Sequence, residues 1–103
     1  MNKFMQERQR FNTIYNDLLI TLDQHILRGE DRGFLGTRVL FEIPVAQISY
    51  VKLRKRFIWF GSQGFEINYR RQPKGALFGA FFASNQIQQW IDAFKAAGIK
   101  IIE

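Results

Sequence analysis

The sequence contains no cysteine, which excludes disulfides, thiol nucleophiles and metal sites built on thiolates. It has a single histidine, His25, so a centre that needs several imidazole ligands is not expected either. No apolar run approaches the roughly 18 residues that a membrane-spanning helix requires, and the first ten residues are too polar for a secretory signal. We therefore predict no metal, no cofactor, no spanning helix and a cytoplasmic location.

Acidic residues are scarce in one part of the chain. The 15 lysines and arginines outnumber the 9 acids, for a net charge of +6, yet between Pro44 and Lys74 the only acid is Glu66. Charges in the rest of the chain cancel, so the positive charge belongs to this segment. Its cations are Lys52, Arg54, Lys55, Arg56, Arg70, Arg71 and Lys74.

The length and composition indicate one globular domain. With 103 residues, 47% hydrophobic and 16% aromatic, the chain can bury a core of its own. We assign residues 1–103 to a single domain and leave residues 1–15 as an uncertain N-terminal segment.

The last third of the chain carries the clearest structural pattern. Two strand-like runs, Gly64–Arg71 and Gly75–Ala83, are joined by Gln72–Gly75, which has proline and glycine at the positions favoured in a type I turn. This pattern predicts a β-hairpin.

A short amphipathic helix is predicted after the hairpin. Ser84 or Asn85 can cap it, and Asn85 with Gln88 three residues later resembles a capping box. Gly98 is expected to end it. An isolated helix of roughly 13 residues is marginal in water, so its apolar stripe must pack on the sheet. The stripe consists of Ile87, Trp90, Ile91 and Phe94.

The pattern of residues 3–28 fits two structures. Leu18, Ile20 and Leu22 alternate as in a strand, with a turn at Asp23–Gln24 and a return strand over His25–Arg28. The same region also fits a long helix, so both interpretations stay open, with the hairpin favoured. The helical stripe consists of Phe11, Ile14, Tyr15, Leu18, Leu19, Leu22 and Ile26.

The middle of the chain reads as short strands between turns. Gly29–Gly33 is typical of a turn, and strands are predicted over Thr37–Ile43, Ala46–Leu53 and Phe57–Phe60, with Pro44 as a break. Six or seven strands without helical crossovers predict an antiparallel, mainly β fold of the α+β class, closed by the C-terminal helix.

Three segments resemble bacterial pleckstrin-homology-like and GRAM-like domains. Residues 18–28 are similar to the family's first hairpin, residues 41–52 to its "Ile-Pro-Leu-x-x-Ile-x-x-Val" segment, and residues 80–94 to its last strand and Trp-bearing helix. The resemblance implies a strongly bent antiparallel barrel of six or seven strands, capped at one end by the C-terminal helix.

The resemblance does not carry over a ligand. Phosphoinositide-binding members have basic residues on the first two strands and their loop, whereas here Arg28 and Arg32 stand among acids. We transfer the fold and not the headgroup site. The acids are Asp17, Asp23, Glu30 and Asp31.

The basic segment is the candidate binding site. Lys52, Arg54 and Arg56 alternate, so on a strand they share one face, while Lys55 points to the other. Such a ladder can neutralise phosphates, with the basic residues of the next hairpin nearby, or it can simply keep a sheet edge soluble.

Aromatic residues are interleaved with the basic ones, which leaves nucleic acid as an alternative partner. Stacking rings in a basic groove bind single strands, although a β core needs inward-facing rings at similar positions. The alternative is a single-stranded nucleic-acid-binding protein that uses residues 52–74. The rings are Tyr50, Phe57, Trp59, Phe60, Phe65 and Tyr69.

No motif indicates catalysis. His25 can pair with Asp17 or Asp23, but no nucleophile is marked beside it, and Gly33–Gly36 is too short to cradle phosphate. We therefore expect a non-catalytic binding or scaffold module that engages a protein partner or an anionic membrane surface.

Two runs are apolar at every position, which predicts self-association. Phe57–Phe60 and Ala76–Ala83 offer more nonpolar surface than one helix can cover. A second copy of the chain, most simply in a twofold dimer, or the N-terminal segment can supply the missing cover.

Overall fold

The computed structural model of the chain describes residues 3–10, 17–33, 36–54 and 63–102. The chain folds as two compact units, Met1–Val45 and Ala46–Glu103. Each unit is built on its own four-stranded sheet.

The first unit is an antiparallel meander. Its strands are β1 (Lys3–Arg10), β2 (Asp17–Asp23), β3 (Ile26–Gly33) and β4 (Gly36–Pro44), and they pair in chain order. The hairpin interpretation of the N-terminal region is therefore confirmed, and the long helix is wrong. The part of the uncertain segment that the structure describes is strand β1.

Cross-strand apolar pairs form the buried face of this meander. Leu22 lies opposite Leu27, which lies opposite Ile43, and all three are buried. Beside them Phe41 lies opposite Gly29, where an added Cβ would come within 2.5 Å of the Phe41 ring. Because glycine has no Cβ, Gly29 leaves the space that the Phe41 ring occupies against the sheet.

The predicted turn at Gly29–Gly33 is wrong, because β3 runs through it. Glu30 and Asp31 pair in the ladder with residues of both neighbouring strands, and the register with β4 shifts between Gly29 and Glu30 as in a β-bulge. Two ladders and ion pairs to neighbouring arginines outweigh the turn preference of these polar residues.

A short 3₁₀ turn over Val45–Gln47 precedes the strands of the second unit, so the strand predicted from Ala46 begins at Ile48. Its elements are β5 (Ile48–Arg54), β6 (Gly64–Arg70), β7 (Leu77–Ala83), the helix α1 (Ile87–Ala96) and β8 (Ile101–Ile102). The sheet order is β7-β6-β5-β8, with β8 parallel to β5 and the other pairs antiparallel. The predicted strand Phe57–Phe60 lies outside the described residues.

The turn between β6 and β7 is confirmed. The backbone N–H of Gly75 donates to the carbonyl of Gln72 at 2.9 Å, which closes the four-residue turn. This turn places Arg70 opposite Leu77 and sets the register of the hairpin.

The helix forms as predicted, but its cap differs. The N-cap residue is Gln86, with no side-chain capping bond, while the Ser84 hydroxyl accepts from the Gln86 N–H at 2.9 Å. Asn85 instead accepts a hydrogen bond from the Gln63 side chain, so the predicted capping box is wrong. Gly98, with φ of 80°, follows the helix end as expected.

The buried helix stripe packs on aromatic residues of the sheet. Trp90 has no exposed surface, and its ring centroid lies 4.9 Å from that of Phe82 and 5.5 Å from that of Phe94. Phe65, also fully buried, contacts Phe94 edge-on at 5.2 Å. The helix therefore covers the sheet face that carries Phe65 and Phe82, as the stripe predicted.

The mainly β, α+β prediction is confirmed, whereas a barrel of six or seven strands is not what the structure describes. In the described part of the chain, eight strands form two sheets, and no ladder joins β4 to β5. A 3₁₀ turn over Val45–Gln47 follows β4 directly, so the chain leaves the first sheet before β5 begins. That residues 1–103 form a single domain stays a prediction.

Candidate anion-binding surface

Three cations share one face of the second sheet. Lys52 lies opposite Glu66, and Arg70 stands four residues further along β6, so alternation puts Lys52, Arg54 and Arg70 on the side away from the helix. All three are exposed. We call this side the cationic face. Of the other predicted ladder residues, Lys55 and Arg56 lie outside the described residues.

One acid stands within the cationic face. The Arg54 guanidinium lies 2.6 Å from Oε1 of Glu66, and the Asn68 side-chain amide donates to its other oxygen at 3.3 Å. The hydrogen bond from Arg54, and then that from Asn68, lowers the pKa of Glu66 below its ordinary value. Glu66 therefore stays ionised at neutral pH and serves as a partner for Arg54, not as a proton donor.

The hairpin turn extends the positive charge beyond Arg70. The Arg70 guanidinium donates to the Gly75 carbonyl at 2.6 Å, which holds the side chain across the turn while its other N–H groups stay available. Lys74, in the same turn, is exposed. Arg70 and Lys74 thus place two positive charges at the hairpin end of the sheet.

Arg71 does not join the cationic face. Its guanidinium carbon lies 4.7 Å from the centroid of the Phe78 ring, a cation–π contact. Phe78 lies opposite Tyr69, on the helix-covered side of the sheet. The structure therefore places Arg71 at the same end of the hairpin but on the other face.

Exposed apolar side chains share the cationic face. Leu77 lies opposite Arg70 and Phe81 opposite Glu66, and these side chains are 40% and 47% exposed. The sequence did not predict that Leu77 and Phe81 lie on the cationic face. In a run that is apolar at every position, no polar–apolar alternation shows which residues face which side of the sheet. The signal was the turn itself, whose closing bond between Gln72 and Gly75 sets which residues of β7 face Arg70 and Glu66.

The three rings proposed for base stacking that lie in the described ranges are dispersed. Phe65 is buried in the aromatic core, and Tyr69 packs against Phe78 on the helix-covered side with centroids 5.8 Å apart. Tyr50, which is partly exposed, lies opposite Asn68 on the cationic face. The remaining three, Phe57, Trp59 and Phe60, lie outside the described residues.

Charges on the first sheet neutralise one another. Arg28 and Arg32 lie 2.7 Å and 3.2 Å from the two oxygens of Glu30. Arg28 also lies 3.5 Å from Glu42, and Arg38 lies 3.7 Å from Asp31. With acids beside its arginines, this sheet lacks the surplus of cations found on the cationic face.

Asp23 has a structural role in the first sheet. The Asp23 carboxylate accepts the backbone N–H groups of His25 and Ile26 at 2.7 and 2.8 Å, so it shapes the β2–β3 turn. Within the described ranges, no group of three acids or histidines is placed to hold a metal ion. Over the same ranges, no helix has the length and apolar character to cross a membrane.

Comparisons with protein-family models, with curated proteins and with solved structures found no match to this chain. A proposal for the function of this chain therefore depends on its own residues and their geometry.

Proposed function

We propose that this protein is a non-catalytic binding module that attaches to an anionic membrane surface through its cationic face. The observation that carries the proposal is the sharing of one sheet face by Lys52, Arg54 and Arg70 with exposed Leu77 and Phe81. Cations attract lipid phosphates, and neighbouring apolar side chains enter the boundary between headgroups and acyl chains.

The charge balance supports the same partner. Glu66 is the only acid on the described strands of the second sheet, and Arg54 already pairs with it. Near an anionic leaflet each additional lysine or arginine contributes about 1 kcal/mol, and the attraction is screened by salt. The cytoplasmic leaflet carries such lipids, in keeping with the predicted location.

The resemblance to pleckstrin-homology-like and GRAM-like domains concerns the fold alone and depends on the order of the elements. Strands precede a C-terminal helix whose Trp90 packs on the sheet. The surface proposed here lies on β5–β7, so it differs from the first-hairpin site of the phosphoinositide-binding members.

Single-stranded nucleic acid is the alternative partner, and the positions of two described rings, Phe65 and Tyr69, make it the weaker one. A stacking platform needs several exposed rings beside the cations. Phe65 is committed to the core and Tyr69 to the opposite face.

Vesicle binding by three single variants tests the proposal. We expect Lys52→Gln to weaken binding to phosphatidylserine-containing vesicles about fivefold, because one lysine near the surface is worth about 1 kcal/mol. Glu66→Gln should strengthen binding, because it removes the one acid and releases Arg54. Co-sedimentation at low salt, about 0.05 M, measures both effects.

Lys95→Gln is the matched control. It also removes one positive charge, but Lys95 is on the helix that covers the other side of the sheet. Equal losses for Lys52→Gln and Lys95→Gln would show a response to net charge alone. Failure of the native protein to bind the vesicles, together with binding to a single-stranded oligonucleotide, would favour the alternative.

A further inference from the structure

From Leu77 to Phe81, strand β7 is a sheet edge without the usual protection against pairing. It lies at the end of its sheet, and no described strand pairs with its outer side. Sheet edges are commonly protected by charges, prolines or bulges, and the edge strands β1 and β4 do carry charged residues. From Leu77 to Ala83 there is no charged residue and no proline.

The exposed part of β7 is large and apolar. Leu77, Phe78 and Phe81 are 40%, 39% and 47% exposed, on a chain whose net charge is +6. The side chains lie on both faces, Leu77 and Phe81 on the cationic face and Phe78 on the other. A strand that pairs with this edge therefore gains apolar contacts on both faces as well as backbone hydrogen bonds.

Residues 77–81 are complementary to themselves in antiparallel orientation. With Gly79 opposite Gly79 of the second copy, each Leu77 meets a Phe81 on one face, and each Phe78 meets an Ala80 on the other. Every large side chain thus has an apolar neighbour, and no like charges are opposed. Because this edge carries no charged residue, two copies with a net positive charge can pair along it without placing like charges opposite each other.

We propose that two copies of this chain associate through β7, antiparallel and centred on Gly79, to form one continuous sheet. The contact is twofold, so it closes after two copies and does not propagate into a fibre. A five-residue strand buries less than the roughly 1,200 Å² of a standard interface, so we expect a Kd on the order of 10 to 100 micromolar.

The twofold axis has a consequence for the cationic face. Because the axis is perpendicular to the sheet, the Lys52 sides of both copies point in the same direction. The dimer would then present two cationic faces to one membrane. Once the first face is bound, the second would bind from within the same complex, which strengthens the overall attachment. The dimer itself does not depend on the proposed membrane binding.

Cysteine cross-linking tests the pairing, because the native chain has no cysteine. In either type of antiparallel pair the two Cα atoms lie within the range that a disulfide spans. The nearest atom to an added Cβ at Gly79 is Oδ1 of Asn68 at 4.0 Å, so Gly79→Cys fits the fold. Under mild oxidation without vesicles we expect Gly79→Cys to form a covalent dimer at least tenfold faster than Gln89→Cys, an exposed helix position.

Sedimentation equilibrium provides the second measurement. We expect the native protein to dimerise as its concentration rises to a few hundred micromolar, and Gly79→Lys, which opposes two lysines, to remain monomeric. A native protein that is monomeric throughout, a Gly79→Lys variant that still dimerises, or equal cross-linking at positions 79 and 89 would overturn the proposal. Vesicle binding is absent from these experiments, so either proposal can fail without the other.

Discussion

Replacing Trp90 with alanine is expected to lower the free energy of unfolding by roughly 3 to 5 kcal/mol, the range for a large buried aromatic side chain. Trp90 is fully buried between Phe82 and Phe94, and it joins the helix to the sheet. The substitution removes these ring contacts and leaves a cavity that neighbouring side chains fill only in part. Urea unfolding followed by circular dichroism measures the shift.

Two further variants make the Trp90 result interpretable. Trp90→Phe should cost less, because it keeps a ring against Phe82. Gln89→Ala, at the exposed neighbouring position, should stay within about 0.5 kcal/mol of the native protein. An unchanged denaturation midpoint for Trp90→Ala would mean that the helix does not pack on the sheet through this side chain.

Gly64→Ala is the second substitution with a large expected effect, a loss of roughly 1 to 3 kcal/mol, as for overpacked interiors. A Cβ at Gly64 would overlap the carbonyl oxygen of Phe82 and lie 2.8 Å from the Cα of Ala83. Both are backbone atoms of β7, so no side-chain rotation relieves the overlap. The two strands must separate locally, which weakens their hydrogen bonds.

Gly79→Ala is the matched control for Gly64→Ala. Its nearest non-neighbouring atom is 4.0 Å away, so a methyl group fits without strain. We expect a neutral effect or a gain of up to about 1 kcal/mol, because alanine restricts the unfolded chain. Thermal unfolding at low micromolar concentration, where dimers are scarce, compares the two. Equal effects would contradict the close approach of β6 and β7 at Gly64.

Periodicity predicted the C-terminal part of the fold well. The spacing of Trp90 and Phe94 identified the buried helix stripe, because only one face of a short helix can pack on a sheet. The turn at Gln72–Gly75 was also recognisable, since proline and glycine restrict the backbone locally.

Features that depend on tertiary pairing were not predictable from sequence. Glu30 and Asp31 have turn preferences, yet they lie in a strand because two ladders and ion pairs hold them there. The two residues of β8 are too few to show a pattern, and they pair with β5 only after the chain returns from the helix. Local composition carries no information on such distant partners.

The candidate site was predictable in charge and only partly in geometry. Alternation correctly placed Lys52 and Arg54 on one face. The pairing of Arg54 with Glu66, and the position of Arg71 on the other face, depend on the register of β5 and β7 with β6. That register depends on which backbone groups of the strands pair, and it cannot be predicted from the spacing of the basic residues.

The measurement that tests the central claim most directly is residue-resolved NMR of the native protein with phosphatidylserine-containing nanodiscs at low salt. Binding through the cationic face predicts that amide signals broaden first at Lys52, Arg54 and Arg70 and recover on addition of salt, while those of the exposed side of α1 persist. Broadening that begins on α1 and spares these three residues would contradict the account.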